Sequence, residues 1–185
     1  MTRSTKSPIS PDTWQMSDRE RTNLQEVTLY DSVQSLSEIW PLAAKRFGQI
    51  TALHDPHVEP EVKLTYEQLN EQIQKFAAGL QALGVISTEK ETSVPPRVAL
   101  FADNSPRWMI ADQGIIVAGG ADVVRSATAD IEELAYILQD SGSIGLVVEN
   151  LALFQKLSDR LQDLPIHLII LPVSYTHLTL PTILL

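Results

Sequence analysis

Asn104-Ser105-Pro106-Arg107-Trp108 is the stretch where side chains able to do chemistry lie closest together: an amide, a hydroxyl, a guanidinium and an indole within five positions. The stretch follows the apolar run Val98 to Ala102 and opens a helical pattern, so it sits where a strand hands over to a helix. In an open parallel sheet, ligands gather beyond the carboxyl ends of the strands, and a functional loop is geometrically allowed there. Chemistry would require more: a glycine-rich turn that lets backbone N–H groups reach phosphate, a nucleophile with its base, or converging metal ligands. None of these accompanies the stretch. Asp103 and Asn104 are turn formers, Ser105-Pro106 is an ordinary helix start, and Trp108, four residues before Asp112, has the spacing of a packing residue.

Other candidates resolve in the same direction. His54, Asp55, His57 and Glu59 carry metal-ligand chemistry, but "HDPHVEPE" is broken by prolines and has no register that would aim two ligands at one point. Gly114, Gly119 and Gly120 lie within and after a helix rather than directly after a strand, which suits close packing and a helix stop, not a phosphate loop. His167 is expected inside an apolar strand. Asp112, in a largely apolar helix, is the buried-carboxylate candidate, with Arg107 or Arg125 as the expected ion-pair partner. Glu132 and Glu133 belong to a first helical turn and favour its dipole. No catalytic, cofactor-binding or metal-binding residue is assigned.

Composition bounds what these residues could serve. The 185 residues are 44% hydrophobic and 20% charged, the balance of a globular chain with a packed core. Asp and Glu outnumber Lys and Arg by 23 to 14, and the net charge of -9 repels nucleic acid at long range. With no cysteine, disulfides, thiolate metal sites and a cysteine nucleophile are all removed. Neither a secretory signal nor a run of about 18 apolar residues occurs, so a soluble, cytoplasmic chain is expected.

The elements that must position the side chains are legible from pattern. Residues 1–24 are polar, contain Pro8 and Pro11, and predict a mobile leader. A short helix around Pro41 stops near Gly48, and a brief strand follows at Ile50 to His54. Thr65 with Gln68 forms a capping box, and Leu64 with Leu69 the staple across it. Leu69, Ile73, Phe76, Leu80 and Leu83 then lay one apolar stripe, ended by Gly84. From there "RVALFA" (97–102), "ADVVRS" (121–126), "IGLVVE" (144–149) and "IHLIIL" (166–171) alternate with helical patterns at Pro106–Gly119, Ile131–Ser141 and Leu151–Leu161. Ser105, Asp130 (in a box with Glu133) and Asn150 are the predicted caps. Strict alternation predicts an α/β fold with a doubly wound, mostly parallel sheet and flanking helices.

Two blocks, "LTYEQLNEQIQKFAAGLQALGV" and "PPRVALFADNSPRWMIADQGIIVAGGADVVRSATADIEELAYILQDSGSIGLVVEN", resemble the N-terminal portion of the adenylate-forming enzymes that activate long-chain fatty acids. The resemblance covers roughly residues 35–171. Where acyl-CoA synthetases usually carry a proline-leucine-tyrosine segment, this chain has Ala121 to Ser126, a version similar to the plastid-type acyl-acyl-carrier-protein synthetases. The resemblance implies, for a complete protein, attack of a fatty carboxylate on the α-phosphate of ATP with Mg present, then transfer of the acyl group to the thiol of an acyl carrier protein or CoA. Peripheral attachment of that parent to a membrane is left open.

The family's Ser/Thr/Gly-rich phosphate loop ending in lysine, its aromatic-glutamate motif, its ribose-binding aspartate and its C-terminal lysine have no counterpart here. Ser141-Gly142-Ser143 lacks a following lysine and reads as a helix stop. The expectation is therefore a partial N-terminal subdomain, residues 25–171, that is inactive alone, holds no cofactor and lacks the remainder of its own chain. Residues 172–185 are expected to be a non-native tail, because 173–182 resembles a sequencing adapter translated in frame. The alternative is a stand-alone small α/β binding or regulatory module without catalysis.

Overall fold

The computed structural model describes residues 17–18, 33–86 and 94–171, and all the elements below belong to the compact unit that begins at Ser35. The expected leader at 1–24 and tail at 172–185 lie almost wholly outside the described residues.

The ordered part opens with a 3-10 turn, Leu36–Glu38, that runs into helix α1, Ile39–Phe47. Pro41 sits in the first turn of α1, where its missing N–H is not needed. Strands β1 (Thr51–Asp55) and β2 (Val62–Thr65) form an antiparallel hairpin, so the first two residues of "HDPHVEPE" end β1 and 56–61 are the connection. β2 ends at Thr65, which also caps helix α2 (Tyr66–Ala82): its hydroxyl accepts from Gln68 N, and the Gln68 side chain accepts from Thr65 N. The capping box is as expected. The buried stripe of α2 is Leu69, Ile73, Ala77 and Leu80; Phe76 is half-buried and Leu83 is 51% exposed, because the chain turns away at Gly84.

Strand β3 (Arg97–Phe101) is the first of the parallel sheet. Helix α3 (Pro106–Ala118) leads to β4 (Ala121–Arg125), α4 (Ile131–Ser141) to β5 (Gly145–Val148), and α5 (Leu151–Leu157) to β6 (Leu168–Ile170). The four-stranded sheet has the order β4-β3-β5-β6 with every pairing parallel. α5 is shorter than the apolar pattern to Leu161, since residues 158–160 tighten into a 3-10 turn.

The period of two along the strands divides the core into two layers. Val98, Leu100 and Ala102 join Val147, Ala111, Ile115 and Ala118 beneath α2 and α3. Ala99 and Phe101 join Leu146, Val148, Leu134, Leu138 and Leu157 beneath α4 and α5. Both faces of β3 are covered, which is why its residues from Val98 to Phe101 are almost fully buried.

α3 approaches α2 closely at Gly114, where an added Cβ would lie 2.6 Å from Phe76 Cδ1 and 3.1 Å from Phe76 Cβ. Gly114→Val is therefore expected to cost about 1–3 kcal/mol through overpacking. Urea unfolding of the variant checks this; an unchanged midpoint would mean the helices stand further apart.

Candidate functional site

In the order β4-β3-β5-β6 the chain winds first to one side of β3 and then to the other. The topological switch therefore falls between the carboxyl ends of β3 and β5, where doubly wound folds place ligands. Three loops meet there, and Asp103 ties them. Its carboxylate accepts from Ser126 Oγ at 2.5 Å and Ala127 N at 3.3 Å, while its own N–H donates to Glu149 Oε1 at 3.3 Å. Glu149 N in turn donates to Phe101 O at 2.9 Å. Sequence reasoning gave Asp103 only a turn role and passed over Glu149. The available signal was that each is among the first polar residues after an apolar strand.

Ser105 and Asn150 act as the predicted caps, accepting from Trp108 N at 3.1 Å and Leu153 N at 2.9 Å. Asp130 caps α4 through Glu132 N at 2.9 Å, but not in a box with Glu133. Glu133 instead meets Arg125 Nε at 2.7 Å, and Glu132 pairs with Arg160. Both acidic residues of that first turn hold a cation.

Beside the switch a cleft of about 790 Å³ opens between the β1–β2 connection, α2 and the start of α3. Leu100, Ala102, Val147 and Ile170 line it together with Phe76 and Trp108. Trp108 packs against the α2–α3 core layer, and its indole Nε1 is buried without a hydrogen-bond partner among the described residues. The size suits a small ligand. The charge does not suit the implied ones: Asp55, Glu59 and Glu149 line the cleft against the single guanidinium of Arg107. Three carboxylates to one cation repel a triphosphate or a fatty carboxylate.

The segments that follow β3, β4 and β5 run Ala102–Ser105, Ser126–Asp130 and Glu149–Asn150 and contain no glycine. Gly114 is inside α3, Gly119 ends it with φ 97°, and Gly142 ends α4 with φ 61°. No turn here offers the successive free N–H groups that cradle phosphates. The described residues do not fit the nucleotide.

The histidine candidates are not brought together. His54 Nε2 lies 3.1 Å from Glu61 Oε2 on the hairpin, while Asp55 Oδ1 accepts from the His57 backbone N–H at 2.9 Å. Among the described residues, no group of three or more His, Asp or Glu converges. His167 precedes β6, is exposed, and contributes its backbone N–H to Ile144 O at 2.8 Å.

Asp112 is buried, at 8% exposure, but its expected ion pair is absent. Arg125 is engaged with Glu133, and the hydrogen bond made to the Asp112 carboxyl comes from Gln113 Nε2 at 2.5 Å. Burial, then the hydrogen bond to Asp122, push the Asp112 carboxyl up to about 6, while Gln113 acts in the opposite sense.

The fold and this switch-point arrangement define a doubly wound α/β unit of the kind found in acyl-CoA ligases. A long-chain-fatty-acid-CoA ligase from Archaeoglobus fulgidus superposes with a TM-score of 0.65 and 21% identity, over 77% of this chain and 28% of that one. The N-terminal domain of FACL13 from Mycobacterium tuberculosis gives a TM-score of 0.63 and 23% identity, over 76% of this chain and 34% of that one. Residues 41–178 match the AMP-binding enzyme family, and the chain belongs to that family. Among its relatives is the chloroplastic long-chain-fatty-acid–[acyl-carrier-protein] ligase AEE15 of Arabidopsis thaliana, 41% identical over 126 residues, which are 68% of this chain and 16% of that protein. The chain thus spans 16–18% of the length of the first curated relatives it matches. Among the described residues, no helix is long and apolar enough to cross a membrane.

Proposed function

We propose that residues 25–171 are the N-terminal scaffold of an ATP-dependent, AMP-forming ligase that joins a long-chain fatty acid to acyl carrier protein or CoA. On this reading the chain has no ligase activity of its own. The 41% identity to an acyl-carrier-protein ligase carries the substrate assignment, with the carrier protein favoured as acceptor. The acid-lined cleft and glycine-free loops carry the assignment as frame, since neither suits a polyphosphate or a carboxylate. ATP, Mg and the fatty acid would then be held by residues of the remainder of the parent, and residues 172–185 are read as foreign to it, although the family match runs on to residue 178.

The expected result is that the purified 185-residue chain shows no fatty-acid-dependent exchange of pyrophosphate into ATP. Turnover above a protein-free control would overturn the scaffold assignment. Sequencing the genomic DNA beyond codon 171 provides the companion test: a continuing frame with a Ser/Thr/Gly-rich loop ending in lysine supports the reading, and a natural stop at that point defeats it.

A further inference from the structure

The cleft beside the switch gathers polar groups whose partners are missing. Asp55 Oδ1 accepts the His57 backbone N–H, and the two oxygens of Glu149 accept from Asp103 N and, at 3.1 Å, from Asn150 Nδ2. These bonds fix the carboxylates in place without neutralising them. Among the described residues, neither they nor Glu59 meets a cation in an ion pair. Three like charges at one apolar cleft repel one another, and a cation placed among them relieves all three.

Trp108 adds the opposite deficit. It lines the same cleft, and its buried indole N–H has no acceptor among the described residues. A buried donor without a partner is a cost that an incoming acceptor removes. Val147 and Ile170 supply apolar floor, and Ile170, on the last strand, is only half-buried. An occupant that answers all of these groups must bring a cation, a hydrogen-bond acceptor and apolar surface together. A simple amine has no acceptor, and a nucleotide or a fatty acid has the wrong charge. A polypeptide segment has all three: a Lys or Arg head group, backbone carbonyls and apolar stems or neighbours.

The choice of polypeptide rests on the scaffold reading above. This chain covers only 34% of the N-terminal domain of FACL13, so most of a domain with this fold is further chain that packs against such a unit. We propose that the cleft is a docking groove for a Lys- or Arg-bearing segment of the parent chain beyond residue 171, with the cation seated among Asp55, Glu59 and Glu149 and a backbone carbonyl on the Trp108 indole N–H.

The test titrates the whole 15N-labelled chain with short peptides tiled along the continuing genomic frame. A peptide with Lys or Arg beside apolar residues is expected to bind and to move the Trp108 indole N–H cross-peak, and its affinity should fall roughly threefold or more between about 0.1 and about 0.5 M NaCl. Glu59→Gln, at an exposed position, should weaken the same peptide roughly threefold. Trp108→Phe, which keeps a ring and removes the donor, should weaken it as well; if that variant does not fold, Glu59→Gln decides alone. The proposal falls if no tiled peptide moves the cross-peak, or if Glu59→Gln leaves the affinity unchanged. It also falls if only peptides from residues 1–32 of this chain bind, or if agmatine alone reproduces the shift at the same concentration. In each of these outcomes the frame still continues and the scaffold reading stands, whereas a natural stop at codon 171 removes both.

Discussion

Phe101→Ala is expected to remove about 3–5 kcal/mol of folding stability, the range for deleting a fully buried aromatic side chain. Phe101 is 0% exposed at the end of the central strand, in the layer formed with Leu134, Leu138 and Leu157. Against a total of about 5–15 kcal/mol for a domain, that loss is large. With a urea slope of about 2 kcal/mol/M the midpoint should fall by about 2 M. Val124→Ala, on the exposed part of β4, serves as the comparison and should shift it far less. A loss below about 1 kcal/mol for Phe101→Ala would show that β3 is not enclosed on both faces.

The second large effect is a gain. The Asp112 carboxyl titrates at about 6 in the folded protein against 3.8 for an ordinary aspartate. Below the lower value both states hold the proton and nothing is lost. Between the two, the unfolded chain has released its proton while the folded chain has not, so stability falls by about 1.4 kcal/mol per pH unit. Above the upper value the whole penalty applies, about 3 kcal/mol at most. Asparagine cannot ionise. Asp112→Asn is therefore expected to be more stable than the parent chain by about 2–3 kcal/mol near pH 7.5, equal to it near pH 3.5, and without the slope between. Urea titrations across that range check the sign. An asparagine variant that is less stable near pH 7.5 and keeps the slope would rule out the buried-acid account.

Much of this architecture could be read from residue order. The four parallel strands are short Val/Ile/Leu runs at even spacing, and the caps at Thr65, Ser105 and Asn150 follow from side chains that reach a backbone N–H three positions on. Strand β2 was not legible: only Val62 to Thr65 form it, and its pattern merges with the start of α2. The partner of Asp112 was not legible either. Sequence proximity and opposite charge pointed to Arg107 or Arg125, but strand alternation decides which side chains of β4 face α3. The site followed the same division. That the Asn104–Trp108 stretch starts a helix is local and readable, whereas the grip of Asp103 on Ser126 and Glu149 depends on which strand ends become neighbours, and that is set by topology.

The sheet order has a consequence for synthesis on the ribosome. β3 is the first of the parallel strands to emerge, yet Val98 finds one flank in Asp122 and the other only in Gly145. A nascent chain halted between those two points would present the Ala99 and Phe101 face of its central strand to the surrounding solvent, with α5 and β5 still inside the exit tunnel. Vectorial translation therefore makes the interval before Val148 emerges the period in which this polypeptide most needs a chaperone.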